Sequence, residues 1–339
     1  MMQFPLFLFG LLLLLKAADW FLDAGIKLSR LVRIPTVVIG ATLVSLATTL
    51  PETTISFIAG LRGHTDLALG NALATPVMNL ALIFPLFFLA APMTDPKKVV
   101  SIRAGVFLAT LVGIWMMAAI SGEISSAAGF ALLLLAGIYI VLMYMVGRPL
   151  DRKSTTLMPF FEWLQMHLLG HIRWARNESV RIRPKILAML FGKFLFGLFA
   201  IVVSGQVLVD QGMQIANTLH VPDYLIGMTL IAFGTSLPEF ATALSAIKSR
   251  RESLSVSNLL GASFLTITLA LGLAAFLSPV QVDASMLTFD FPLAFLAGAS
   301  TILLVHLRPR RVKPVARAIV ILFLFALVAR SLWIAMGVK

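Results

Sequence analysis

Gly227-Met-Thr-Leu-Ile-Ala-Phe-Gly-Thr-Ser-Leu-Pro-Glu239 is an apolar run that ends in small hydroxyl residues, a proline and a carboxylate. A second copy, Gly40-Ala-Thr-Leu-Val-Ser-Leu-Ala-Thr-Thr-Leu-Pro-Glu52, stands 187 residues upstream (239 − 52). A carboxylate inside an apolar segment is costly and marks a functional site by default. The same offset pairs Asp23 with Asp210, Gly25 with Gly212, Pro35 with Pro222, Asn71 with Asn258 and Asn79 with Thr266. Whole halves of the chain are therefore duplicated.

The surrounding composition is that of a membrane protein. Of 339 residues, 59% are hydrophobic and 12% charged, and the mean hydropathy is +0.97. A soluble protein has roughly twice that charged fraction. Apolar runs of about 20 residues recur along the length, which predicts a polytopic helical protein. Met1 to Leu15 has no basic start and no small-residue cleavage site, so it reads as the beginning of a retained helix. Cysteine is absent, which excludes disulfides and thiolate metal sites. The net charge of +12 does not point to nucleic acid, because the basic residues sit at the ends of apolar runs.

Ten spans are expected, at about 4–26, 36–61, 66–91, 99–120, 124–146, 186–216, 223–247, 253–277, 285–306 and 315–337. Five per half is an odd number, so the second half enters the bilayer from the opposite side and the repeat is inverted. The expected fold is all-α: ten transmembrane helices in two inverted five-helix repeats, with broken helices at the midplane. Residues 1–147 form the first repeat, 148–185 a basic linker and 186–339 the second repeat. Connections after odd spans hold Lys27, Arg30 and Arg33; Lys97, Lys98 and Arg103; a cluster from Arg148 to Lys185; Lys248, Arg250 and Arg251; and Arg308, Arg310, Arg311 and Lys313. Those after even spans hold little beyond Arg62. The odd connections, with the linker, are thus expected in the cytoplasm and both termini outside.

The linker mixes aromatic and aliphatic residues with arginine between Pro159 and Trp174, which suits a helix lying in the interface or a plain basic connection. His167 and His171 lie four apart, but no third ligand stands near them in sequence.

Proline within a helix removes one backbone hydrogen bond and displaces the carbonyl four residues back, here those of Ala47 and Gly234. Freed carbonyls at membrane depth are tolerable only where they line a cavity or meet an ion. Each motif therefore offers carbonyl oxygens, hydroxyls from Thr48, Thr49, Thr235 and Ser236, and one carboxylate. With oxygen donors alone, hard cations fit: Ca²⁺, Na⁺, or protons on Glu52 and Glu239. Two facing negative charges in low dielectric require cations or protons between them. A second break is expected one span later in each half, at Leu69–Asn79 and Val256–Thr266, supplying neutral oxygens. Lone hydroxyls such as Thr42 and Thr229 more often bond their own helix. Asp23 and Asp210, near span ends, suit capping or helix contact, with ion access as the other reading.

These residues resemble the Ca²⁺/cation antiporter superfamily, of the sodium/calcium exchanger type. Its first motif looks like G-T-S-L-P-E, which Gly234 to Glu239 matches in full and Ala47 to Glu52 closely. Gly70, Asn71 and Asn79 match its second motif in the first half. The resemblance covers essentially the whole chain. It implies a secondary-active antiporter, not an enzyme, that exchanges Ca²⁺ for Na⁺ by alternating access, the first helix of each half sliding against the other four. It also implies that Glu52 and Glu239 are the central ligands. Thr48, Thr49, Thr235 and Ser236 would ligate through hydroxyl or carbonyl, Ser45 and Ala232 through carbonyls, and Thr75, Asn79 and Thr266 would complete the site. Glu52, Glu239, Thr48 and Thr235 would hold the metal cargo. No resident cofactor is implied.

The chain departs from the family pattern at Thr266, Ala262 and Ser263 in the second half and at Ala47 and Pro76 in the first. The alternative on the same fold is an exchanger of H⁺ for Ca²⁺, or of another cation, with selectivity altered by Thr266 and Ala262. A membrane enzyme with a nucleophile in the motif would need a nearby base, and neither motif contains histidine. A passive channel has no need for duplicated broken helices. The expected partners are Ca²⁺, Na⁺ or H⁺ and the lipid of the plasma (cell inner) membrane. The chain is expected to work as a monomer. The basic linker leaves no place for the acidic Ca²⁺-sensing region of some family members.

Overall fold

The computed structural model describes residues 2–31, 49–90, 97–146, 184–249 and 252–336. In order they form α1 (Gln3–Leu31), α2 (Leu50–Leu61), α3 (Thr65–Ala90), α4 (Lys97–Ser121), α5 (Ser126–Val146) and α6 (Pro184–Leu219). Then come α7 (223–235), α8 (Leu237–Ser249), α9 (252–277), α10 (Met286–His306) and α11 (Pro309–Ala335). The protein is an all-helical membrane protein. Among the described residues, seven helices are long and apolar enough to cross a bilayer. Of the ten expected spans, 223–247 is cut into shorter pieces at its proline motif, and 36–61 lies partly outside the described residues. Residues 32–48 and the linker lie outside the described residues, so the linker's helix, His167 and His171 receive no structural account.

Burial separates inner from outer helices. Along the apolar stretches of α3 and α9, 78% and 83% of residues are buried, against 33% and 22% along those of α1 and α6. The apolar core gathers around α3 and α9 with Phe84, Phe87, Phe107, Leu111 and Phe291. Its tightest crossing has no room for side chains. A Cβ on Gly70 would lie 2.3 Å from the Tyr224 carbonyl oxygen, and one on Gly227 would lie 2.2 Å from that of Leu67. Small residues at such crossings let backbones of membrane helices approach closely.

α1 and α6, the first helices of the two halves, pack against each other on a separate apolar cluster. Phe21 stacks on Phe194 with ring centroids 4.4 Å apart, and Asp23 holds both Lys27 and Lys193. At the other end, Asp210 of α6 pairs with Arg62 just beyond α2. Both aspartates thus make helix contacts.

The connections after the even-numbered spans meet at one end of the molecule. His64 Nδ1 lies 3.0 Å from an Asp223 carboxylate oxygen. The Thr65 hydroxyl donates to the Pro279 carbonyl at 3.5 Å. Two short strands, β1 (Glu123–Ile124) and β2 (Val280–Gln281), pair antiparallel beside them.

Two expectations about breaks are corrected. The motif break of the second half is narrower than an opened helix: α7 and α8 are separated by Ser236 alone. Its N–H donates to the Ala232 carbonyl at 3.1 Å, and its own carbonyl accepts from Phe240 N at 3.0 Å. The chain bends there and hydrogen bonds bridge the bend. Ser236 has φ −78° and ψ −1°; Thr49, its partner at the offset of 187, has φ −86° and ψ −4°. The duplication extends to backbone angles in the sparsely populated bridge region.

The second breaks are not breaks. α3 and α9 run on as helices that widen into π turns at Met78–Ile83 and Thr266–Ala270. A π adjustment re-satisfies backbone groups that a proline frees, and Pro76 stands just before the first. Ser263 occupies the aligned position before the second, so proline is not the common cause.

Candidate cation site

Both carboxylates open helices. Glu52 lies in the first turn of α2 and Glu239 in the first turn of α8, each directly after its proline. A proline fits a helix start because the N–H it lacks has no intrahelical partner there, and the first turn favours negative charge. The sequence thus places each acid at the positive end of a short helix. Both side chains are fully buried. They are close enough that the like charge of Glu239 acts on Glu52, with the Thr235 hydroxyl beside them. No cationic side chain among the described residues offsets that repulsion at Glu52.

Oxygen donors surround this pair. Thr49, Thr75, Asn79, Thr235 and Thr266 have no exposed surface, and Ser236 has almost none. The Thr235 hydroxyl donates to the Ile231 carbonyl at 3.0 Å and that of Thr266 to Ala262 at 2.9 Å. The Thr75 hydroxyl donates to Asn71 Oδ1 at 3.3 Å. A hydroxyl whose proton is already placed keeps its lone pairs for a cation. Asn79 Oδ1 and Nδ2 and Ser236 Oγ are buried and make no hydrogen bond among the described residues, and the Glu52 carboxylate has little beyond the Thr235 hydroxyl beside it. Buried polar atoms left this way are rare, and each calls for an unseen partner. Apart from the Asn79 amide nitrogen these atoms are oxygens, the ligand type of a hard cation. No three acidic or histidine side chains cluster among the described residues, so two carboxylates and neutral oxygens are what the site offers.

The structure therefore gathers Glu52, Glu239 and Thr235 directly, and buries Thr49, Thr75, Asn79, Ser236, Thr266 and Ala232 on the helices that frame them. The Ala232 carbonyl already accepts the Ser236 N–H. Thr48 and Ser45 lie outside the described residues. Thr53, next to Glu52, and Ser56, one turn beyond it, were not singled out from the sequence and carry buried hydroxyls.

A second buried charge pair also went unread. Asp290 accepts from Arg330 Nη2 at 2.6 Å and Nε at 3.1 Å; Arg330 also donates to Ser285 Oγ at 3.0 Å and lies over Phe289 and Trp333. Charges within two apolar spans were the available signal. The pair satisfies itself and joins α10 to α11.

Three comparisons with known proteins bear on this site. The profile of the family described as "Sodium/calcium exchanger protein" matches residues 2–145 and 189–334. Inner membrane protein YrbG of Escherichia coli is 31% identical over 304 residues, covering 89% of this chain and 86% of that one. Sodium/calcium exchanger MaX1 of Methanosarcina acetivorans is 26% identical, covering 90% and 91%. A solved structure of the sodium-calcium exchanger NCX_Mj, soaked with 10 mM Na⁺ and 10 mM Sr²⁺, aligns with a TM-score of 0.60 at 22% identity, over 96% of this chain and 98% of that one. At that identity the structural likeness speaks for the fold.

Proposed function

The chain belongs to the sodium/calcium exchanger family and is a membrane cation exchanger, and on that premise we propose that it moves Ca²⁺ against a Na⁺ gradient by alternating access. The observation that carries this reading is the fully buried, like-charged pair Glu52 and Glu239, set among neutral oxygens. Two carboxylates match the charge of one Ca²⁺ or of two monovalent cations. Occupancy by one or the other, never neither, would keep the bare charges from crossing the bilayer uncompensated. That is the physical basis of obligatory exchange.

In this reading ten spans form two inverted repeats, 1–147 and 186–339, joined by a cytoplasmic linker at 148–185. The gathering of even-numbered connections at one end supports it. So do the matched angles of Thr49 and Ser236 and the aligned π turns. Both termini then lie outside the inner membrane. α1 and α6, packed together and largely exposed along their other faces, are the pair that slides against the core formed by α2, α3, α7, α8 and α9. A single chain holds both halves of the site, so a monomer suffices. Thr48, Thr49, Thr75, Asn79, Thr235, Ser236 and Thr266, with carbonyls of Ser45 and Ala232, are the neutral ligands.

One observation favours a second reading, exchange of H⁺ for Ca²⁺ or of another cation. Thr266 brings a neutral hydroxyl to a position aligned with the Asn79 amide, and Ala262 brings no polar group. Uptake of radiolabelled Ca²⁺ into Na⁺-loaded proteoliposomes, beside vesicles with only a pH gradient, separates the two. Na⁺-dependent uptake is expected. Uptake driven by pH alone would move the assignment to protons, and no uptake in either would exclude Ca²⁺ as the cargo.

A further inference from the structure

The turns that follow the two glutamates are not equivalent. After Glu52 the helix reads Thr53-Thr-Ile-Ser56; after Glu239 it reads Phe240-Ala-Thr-Ala243. Ser56 is one helical turn from Glu52 and on the same face. It has no exposed surface, and its hydroxyl makes no hydrogen bond to any described residue. Among the serine and threonine hydroxyls of the described residues it shares this with Thr53 and Ser236, each close in sequence to one of the two glutamates. The buried hydroxyls of Ser204, Thr235, Ser263, Thr266 and Thr268 all donate to the carbonyl four residues back, as lone hydroxyls in membrane helices commonly do. Its second-half counterpart, Ala243, is equally buried and has no oxygen to offer.

The packing of Gly60, one turn beyond Ser56, shows where this face of α2 lies. A Cβ on Gly60 would lie 2.8 Å from the Ala274 Cα, and the Thr65 hydroxyl reaches the Pro279 carbonyl. In both pairs the second residue number exceeds the first by 214 (274 − 60 and 279 − 65). Gly60 and Ala274 fix the register of α2 against the end of α9, with Thr65 (the first residue of α3) and Pro279 (just beyond α9) meeting past that crossing, and α2 also touches the π turn Thr266–Ala270. In that register Glu52 is level with Thr266 and Ser56 with Ala270. The hydroxyl of Ser56 extends the oxygen-lined site one turn from Glu52, toward the end where the even-numbered connections meet.

We infer that Ser56 is a ligand for a monovalent cation at a station of its own, between Glu52 and the π turn of α9. A cation there meets one carboxylate, Glu52, and neutral oxygens from Ser56 and Thr266, a donor set whose charge balances +1 and leaves a divalent ion half compensated. The station exists in the first half alone, because Ala243 breaks the equivalence. This inference rests on the exchanger reading and adds to it a residue and a place for the monovalent ion.

The test is an equilibrium titration of the purified full chain in detergent. Melting temperature is followed against NaCl at constant ionic strength, and separately against CaCl₂. Ser56→Ala is expected to raise the Na⁺ midpoint about fivefold, the size of one lost ligand or hydrogen bond, and to leave the Ca²⁺ midpoint within about twofold. Ser56→Thr, which keeps the hydroxyl, is expected to follow the wild type; Ser56→Ala decides on its own if the larger side chain does not fold. An unchanged Na⁺ midpoint in Ser56→Ala, with Na⁺ still stabilising the wild type, overturns the inference and leaves the exchanger reading standing. Equal shifts for Na⁺ and Ca²⁺ overturn it in favour of a packing role. A wild type that responds to neither ion removes the reading and the inference together.

Discussion

The two halves of this chain agree where charge is placed and differ where neutral oxygens are placed. Glu52 and Glu239 are aligned in sequence, follow aligned prolines, open helices after residues with the same backbone angles, and are equally buried. One turn on, Ser56 is aligned with Ala243; one span on, Asn79 is aligned with Thr266. Duplication supplies the framework and the two charges that any cation of the right size would meet. The unduplicated neutral residues decide which cation is held and from which side it is reached. In a hard-oxygen site charge count sets the gross affinity, while ligand number and cavity shape set selectivity.

The strongest way to break the comparison is at the charges, where equivalence predicts equal outcomes. Glu52→Gln and Glu239→Gln should each lower exchange by at least about 100-fold, since each removes half the charge that compensates the cargo in a dry core. Neither should cost folding, because each also removes a buried like charge from its neighbour. Melting temperature without added Na⁺ or Ca²⁺ should be no lower than wild type. Transport assays and melting curves on the same preparations check both statements. Retained exchange in one variant alone would show that the halves are unequal even in charge.

The next test acts on the difference. Thr266→Asp would give the second half a carboxylate one span from Glu239, level with Glu52 on the opposing helix. A third negative charge is expected to tighten Ca²⁺ binding about tenfold, as carboxylate count does in Ca²⁺ sites generally. It should weaken turnover, because an ion held harder leaves more slowly. Equilibrium binding of radiolabelled Ca²⁺ reads the first effect and exchange rate the second. Unchanged affinity would mean that Thr266, although buried beside the site, contributes no ligand.

How much of this was legible in the sequence follows the same division. Glu52, Glu239 and the prolines before them stand out because carboxylates and helix breakers are rare in apolar runs, and the offset of 187 made each copy a check on the other. The π turns left no such mark. A shift of backbone hydrogen bonding by one residue changes no composition, so Leu69–Asn79 and Val256–Thr266 read as breaks. Ser56 was passed over because a single serine in an apolar helix ordinarily bonds its own backbone; its full burial with an unpaired hydroxyl, taken together with the register of α2 on α9, needed the fold. Asp290 and Arg330 were visible as charges within spans 285–306 and 315–337, but their mutual pairing needed the fold.

The smallest expected effect sharpens the comparison at the outer helices. Asp23 and Asp210 are aligned by the offset of 187, yet their partners differ in kind. Asp23 of α1 holds Lys193 of α6, so that pair stays within the two helices proposed to move together. Asp210 of α6 holds Arg62, which follows α2 and belongs to the proposed stationary core. Sliding of α1 and α6 would stretch the second pair and leave the first intact. Both pairs are partly exposed, so each contributes little and is weakened by salt. Asp210→Asn is therefore expected to change the exchange rate by about two- to fivefold at low salt, with ion midpoints unchanged and the effect fading near 1 M salt, where the Debye length is about 3 Å. Asp23→Asn should lower melting temperature slightly and leave the rate alone. Equal rate effects from the two substitutions would show that α1 and α6 do not move as one body, and the division between sliding pair and fixed core would have to be redrawn.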